Sequence, residues 1–178
     1  MTTRKSIASE SILEALDKLA SEIAVAHADT NTLVLAAIAN GGIPVNIMLR
    51  SRLLDNHGID SQSAVVDISF HRDDIGVNPL SKDVESTSLA LNPEDSTIIL
   101  VDDVLFSGRS VRAALSELNT LGRPQMIELA VLVDRGNRRL PIEPNYVGIE
   151  ESTTEMEKVD VRLFPEDPEK SHIDILGA

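Results

Sequence analysis

Residues 98–115 read Ile98-Ile99-Leu100-Val101-Asp102-Asp103-Val104-Leu105-Phe106-Ser107-Gly108-Arg109-Ser110-Val111-Arg112-Ala113-Ala114-Leu115. The first four are apolar without alternation, as in a strand covered on both faces of a parallel sheet. Asp102 and Asp103 leave the end of that strand. Ser107-Gly108-Arg109-Ser110 then opens a helix whose apolar positions are Val111, Leu115, Leu118 and Leu121. Gly122 suits the C′ position, and Pro124 prevents the helix from continuing. Strand, turn and helix in that order form the repeating unit of a doubly wound sheet, where ligands gather outside the carboxyl ends of the strands.

Working outward, Ile12, Leu13, Leu16, Leu19, Ala20 and Ile23 recur at helical spacing. Ser11 followed by Glu14 is a capping-box pattern, so a helix is predicted near residues 10–27. Leu33–Ala39 is a second buried strand, ending at Asn40-Gly41-Gly42. Ile43, Ile47, Met48, Leu49 and Leu53 predict a helix with Pro44 in its first turn. Gln62–Phe70 reads as a strand around Val66 and Ile68, and Met126–Val133 as another. Tyr146–Gly148 and Val159–Leu163 are shorter ones. Residues 71–95 are polar, hold Pro79 and Pro93, and read either as a flap over a site or as a β-hairpin arm. The acidic tail of about 165–178 docks through Ile173, Ile175 and Leu176. No linker or repeat divides residues 1–178. The expectation is one α/β domain, doubly wound, with a mainly parallel sheet, helices on both faces and a flap or hairpin arm.

The chain has 178 residues and a formal charge of −13. A hydrophobic share of 42% is a globular value, so the acidity does not signal disorder. Aromatics are 2%, which argues strongly against a platform of several stacked rings for single-stranded nucleic acid. Without cysteine there are no disulfides, thiolate chemistry or zinc–cysteine sites. Met1 to Lys5 leads into no signal-like apolar run, and nothing approaches a membrane span, so a cytoplasmic location is expected. His27, His57, His71 and His172 lack metal-ligand spacing and are expected at the surface or in loops.

Two adjacent carboxylates repel unless solvent, hydroxyl donors or a cation offset the repulsion. Beside them the Ser-Gly-Arg-Ser turn offers unpaired backbone N–H groups, serine hydroxyls and a glycine that permits close approach. A helix N-terminus adds about 0.3–1 kcal/mol per anionic charge at exposed sites. Acids for sugar hydroxyls next to a phosphate cradle describe a ribose-phosphate site.

Val101–Ser110 resembles the phosphoribosyl-pyrophosphate (PRPP) motif of class I phosphoribosyltransferases. Through Ala113 it is similar to the version in PyrR proteins, pyrimidine-operon regulators that also act as uracil phosphoribosyltransferases. Ala130–Gly136, Arg139–Ile142, Tyr146–Gly148 and Arg72-Asp73-Asp74 extend the likeness over most of the chain. The resemblance implies transfer of ribose 5-phosphate from PRPP to uracil, giving UMP and pyrophosphate. Asp102 and Asp103 would hold the ribose, with Mg²⁺ nearby through PRPP or water. Val104, Leu105, Phe106, Ser107, Gly108, Arg109 and Ser110 would form the nucleotide site, and Asn40, Gly41 and Gly42 the pyrophosphate loop. Arg72, Asp73 and Asp74 would belong to the flap. An aromatic at Phe106 fits the pyrimidine group, since purine enzymes of this type usually place an aspartate there. The resemblance also implies a homodimer or homotetramer.

The chain departs from PyrR proteins in three places. Their pyrophosphate loop usually reads Thr-Arg-Gly, so Gly41 stands where an arginine would contact the leaving group. Losing such a charged hydrogen bond typically costs about 1.5–3 kcal/mol. Ile149-Glu150-Glu151-Ser152 replaces a Lys-Asn-like stretch near the base site. Regulatory members bind messenger RNA on a basic surface. Here the first helix carries Glu14 and Asp17, and Asn137 replaces the usual histidine. Arg135, Arg138 and Arg139 remain as candidates for a small RNA patch, or as ion-pair partners of surface acids. The alternative function is a nucleotide-sensing RNA-binding attenuator with little catalysis.

Overall fold

The computed structural model describes residues 2–30, 32–69 and 93–177. In chain order the strands are β1 (Thr2–Ile7), β2 (Leu33–Ile38), β3 (Gln62–Val66), β4 (Thr97–Leu105), β5 (Met126–Asp134), β6 (Tyr146–Glu150), β7 (Lys158–Arg162) and β8 (His172–Gly177). The helices are α1 (Ser9–Ala26), α2 (Gly42–His57) and α3 (Arg109–Leu121). Arg72, Asp73 and Asp74, with most of the expected flap, lie outside the described residues.

Five strands form a parallel sheet in the order β3-β2-β4-β5-β6. All six residues of β2 are buried, which explains its unbroken apolar run: both faces are covered. Side chains alternate across each strand, so the core divides in two. Leu35, Ile99, Val101 and Leu132 pack against Leu16 and Ile23 of α1 and Leu49 of α2. Ala36, Ile98, Leu100 and Val131 pack with Val111, Ala114 and Leu118 of α3. Helices therefore cover both faces, as the apolar runs predicted.

Four local expectations are corrected. α1 begins two residues before the capping-box serine: Ala8 is the N-cap, and no side chain caps the helix. Ser11 already lies in the first turn because the chain enters α1 directly from β1. β3 stops at Val66, since its partner β2 ends at the paired residue Ile38. Asp67 then accepts hydrogen bonds from the Ser69 N–H (2.8 Å) and hydroxyl (2.5 Å), making a turn. The C-terminal segment is more than a docked tail. β8 is the centre of a second, antiparallel sheet, β1-β8-β7, and buries Ile173 and Ile175 completely.

The fourth correction concerns His27, which is 7% exposed rather than superficial. Its Nε2 lies 2.7 Å from Glu128 Oε2 and 3.1 Å from the Tyr146 hydroxyl, and its Nδ1 lies 3.0 Å from Thr30 Oγ1. Tyr146 also donates to Glu128 at 2.9 Å. Burial and the Glu128 carboxylate push the Tyr146 phenol well above its ordinary value. The cluster pins the end of α1 to β5 and β6, away from the carboxyl ends of the strands. His27→Ala removes a hydrogen bond to a charged group and is expected to cost about 1.5–3 kcal/mol, measured by urea unfolding.

Candidate active site

Neighbouring strands β2 and β4 send the chain to opposite faces of the sheet. β2 leads into α2 and β4 into α3, whose apolar faces belong to the two separate cores. The loops leaving these strands therefore part and open a crevice at their carboxyl ends, the position at which doubly wound sheets bind ligands.

Asn40, Gly41 and Gly42 form one wall. The Ala39–Asn40 peptide bond is cis. A Cβ on Gly42 would lie 2.2 Å from the Val101 carbonyl oxygen, so the loop backbone rests directly on β4. A Cβ on Gly41 would lie 2.5 Å from Cγ and from both carboxylate oxygens of Asp103. The position where PyrR proteins are expected to carry arginine thus has no room for a side chain while Asp103 lies there.

Residues 106–110 form the other wall. Gly108 has φ +84° and caps α3, and a Cβ there would also press on Ile142 at 3.2 Å. The Ser107 hydroxyl accepts the Arg109 N–H at 3.3 Å. A pocket of about 110 Å³ is lined by Asp102 and residues 104–111. The first-turn N–H groups of α3 have no carbonyl partners within the helix, so this pocket is suited to an anion.

The acid pair lies within β4 rather than beyond its end: pairing with β5 continues through Leu105 and Asp134. Strand alternation therefore separates the two side chains. Asp102 lines the pocket on the α3 side, while Asp103 shares the face of Val101 and lies against Gly41 on the α2 side. Asp102 Oδ1 accepts the Asp103 N–H at 3.0 Å, and Asp103 Oδ1 accepts the Val104 N–H at 2.7 Å. Burial raises the Asp103 carboxyl above the usual range. The Val104 N–H and Asp102 oppose that rise, and the charge of Asp160 on β7 reinforces it. Asp160 itself is held low: burial pushes it up, but Arg162 and Lys158 outweigh that effect.

Carboxylate oxygens are hard ligands suited to Mg²⁺, which commonly takes one or two of them and completes its shell with water and substrate phosphates. Among the described residues no group of three or more metal-ligating side chains comes together. One carboxylate lining a phosphate-sized pocket, with the second on the Gly41 wall, thus fits an ion shared with a phosphorylated substrate, and not a cage built from protein alone.

The three arginines do not form a surface patch. Arg135 is 6% exposed; its Nε donates to Thr153 Oγ1 and its Nη2 to the Thr154 carbonyl, both at 2.8 Å. Its guanidinium sits 4.1 Å from the centre of the Phe106 ring. Burial lowers its pKa, partly offset by Glu157. Arg138 turns inward onto backbone carbonyls and Asp134. Arg139 is exposed and pairs with Glu155. Asn137 takes φ +60°, a conformation that asparagine tolerates better than most residues. Among the altered residues after β6, Glu151 binds Arg4 at 3.2 Å and Lys5 at 2.6 Å, tying β1 to the end of the parallel sheet.

Sequence reasoning missed the inward roles of Arg135 and Arg138 and the proximity of Asp160. The available signal was Asp134 and Arg138 bracketing Gly136-Asn137, an oppositely charged pair across a tight turn.

A family model described as phosphoribosyl transferase domain matches residues 5–166. The chain is 39% identical to "Bifunctional protein PyrR" of Pelotomaculum thermopropionicum, covering 90% of this chain and 89% of that protein. It is 41% identical to the protein of the same name from Trichormus variabilis, covering 88% and 87%. Among solved structures, a hypoxanthine phosphoribosyltransferase of Trypanosoma cruzi superposes with a TM-score of 0.71 at 16% identity, covering 99% of this chain and 97% of that one. One from Staphylococcus aureus gives 0.66 at 19%, covering 87% and 80%. At these identities the structural likeness speaks for the fold alone.

Proposed function

The chain belongs to the phosphoribosyl transferase family and to its PyrR group, and on that premise we propose that it transfers ribose 5-phosphate from PRPP to uracil, giving UMP and pyrophosphate. The observation that carries this reading is the division of the acid pair between two glycine-lined walls. The cradle at residues 106–110 takes the 5′-phosphate, with Asp102 beside it for the ribose. Backbone N–H groups of the Gly41-Gly42 wall face the pyrophosphate, with Asp103 next to them. The bond from ribose C1 to pyrophosphate oxygen breaks, C1 bonds to uracil N1, and the N1 proton is released. Positive charge grows on the ribose ring as the bond breaks, and the two carboxylates stabilise it. Asp102 or Asp103, together with substrate phosphates, would hold Mg²⁺, which would supply positive charge to offset that of the pyrophosphate. Phe106, backed by Arg135, favours a pyrimidine site.

With PRPP and Mg²⁺ in excess, uracil is expected to turn over at least about tenfold faster than hypoxanthine or guanine, a ratio within the reach of pocket contacts. A preference for a purine would contradict the assignment of the base. Relatives are named bifunctional, and RNA-dependent attenuation would be the second activity. In this chain it would need a surface other than Arg135 and Arg138. Among the described residues no helix is long and apolar enough to cross a membrane.

A further inference from the structure

We propose that Arg138 is the positioning residue of the 5′-phosphate cradle, a role that rests on the phosphoribosyl-transfer reading and deepens it. Its guanidinium reaches five acceptors on three pieces of chain. Nε donates to the Ile142 carbonyl at 3.1 Å. Nη1 lies within donating distance of the carbonyls of Leu105 (3.3 Å), Phe106 (3.1 Å) and Gly136 (3.3 Å). Nη2 donates to Asp134 Oδ2 at 2.5 Å. Leu105 and Phe106 are the point at which β4 ends and the cradle begins.

The neighbouring backbone repeats the same link. The Arg135 N–H donates to the Leu105 carbonyl and the Arg139 N–H to the Ser107 carbonyl, both at 3.1 Å. Gly108 packs against Leu140 and Ile142. Residues 134–142 thus form a buttress for residues 105–108, and Arg138 is the side chain that fastens them together. Only the planar fork of arginine can span carbonyls of both segments and a carboxylate at once. A lysine ammonium is a single point of charge on a flexible stem. The arginine touches the backbone of the cradle and leaves its inner face open to substrate. Its contribution is therefore geometric: it fixes where the N–H groups of residues 107–110 point.

Arg138→Lys and Arg138→Met test this by steady-state kinetics with PRPP, uracil and Mg²⁺, combined with calorimetric titrations of UMP and of pyrophosphate. Loss of alignment at a site of this kind costs about ten- to a hundredfold. The KM for PRPP should rise and the affinity for UMP should fall by that factor. The kcat should change by less than about threefold. Pyrophosphate, which binds at the Gly41-Gly42 wall, should keep its affinity. A merely structural role would lower the melting temperature without this split. If the arginine variants fail to fold, Asp134→Asn takes their place. It removes the charged partner of Arg138, keeps an acceptor for the Gly136 N–H, and should weaken UMP about threefold while sparing pyrophosphate. Unchanged UMP affinity in the folded variants, or equal losses for UMP and pyrophosphate, would overturn the role of Arg138. A wild-type protein that binds neither ligand would overturn both it and the parent reading.

Discussion

Gly42→Ala is expected to lower folding stability by about 3 kcal/mol, the upper end of the usual cost of overpacking. Gly42 is the first residue of α2, and by helix propensity alone alanine would be favoured there by about 1 kcal/mol. The steric effect has the opposite sign and is larger. The added methyl would stand 2.2 Å from the carbonyl oxygen of Val101, a backbone atom in a central strand that cannot move without shifting β4. Gly41→Ala is a useful contrast. The three atoms nearest its new methyl all belong to the carboxylate of Asp103, a side chain that can shift where a backbone atom cannot, so stability should change by less than about 1 kcal/mol. Turnover should still fall, because Asp103 is displaced from the wall it serves. Urea unfolding of both proteins, with comparable slopes, separates the two cases.

Asp103→Asn is expected to raise the melting temperature at neutral pH while reducing turnover about ten- to a hundredfold, the effect of losing a charged contact worth about 1.5–3 kcal/mol. Burial, strengthened by the charge of Asp160, raises the Asp103 carboxyl in the folded protein. A raised folded pKa means that the native state binds this proton more tightly than the unfolded chain does. The resulting stability is fully present below the unfolded value and is lost as pH rises through the folded one. At neutral pH the ionised carboxylate is therefore a net cost to folding, which the amide removes. The gain in melting temperature should shrink on acidification, as the wild-type carboxyl takes up its proton. Melting curves at pH 7 and pH 4 check the sign. Equal melting temperatures of the two proteins at both values would contradict the burial of Asp103.

What could be read from the sequence follows from how each element is stabilised. β2, β4 and β5 are buried on both faces, so their burial is written as continuous apolar runs, and the glycine and serine turns after β2 and β4 mark where they end. β1 has one apolar residue, Ile7, and is held by backbone pairing with β8, which leaves little mark on composition. β8 alternates polar and apolar residues over too short a span to stand apart from an acidic tail. In the site, Asp102 and the Ser107–Ser110 turn lie close in sequence, and the pocket they line together is therefore written in one short stretch. The contact of Gly41 with Asp103 joins distant segments, and no local pattern announces it. Arg138 and Arg139 make the ion pairs that the sequence allowed, with Asp134 and Glu155, but a cation in a turn looks the same in sequence whether it faces water or, like Arg138, also the carbonyls of a neighbouring loop.

The most direct measurement is calorimetric titration of PRPP with Mg²⁺ into the wild-type protein and into Asp102→Asn/Asp103→Asn. The crevice between β2 and β4 predicts one PRPP site per chain in the wild type. Removing both carboxylates should weaken it by at least about a hundredfold, the effect of two lost charged contacts. Equal PRPP affinity in the two proteins would contradict the placement of the site at the ends of these strands.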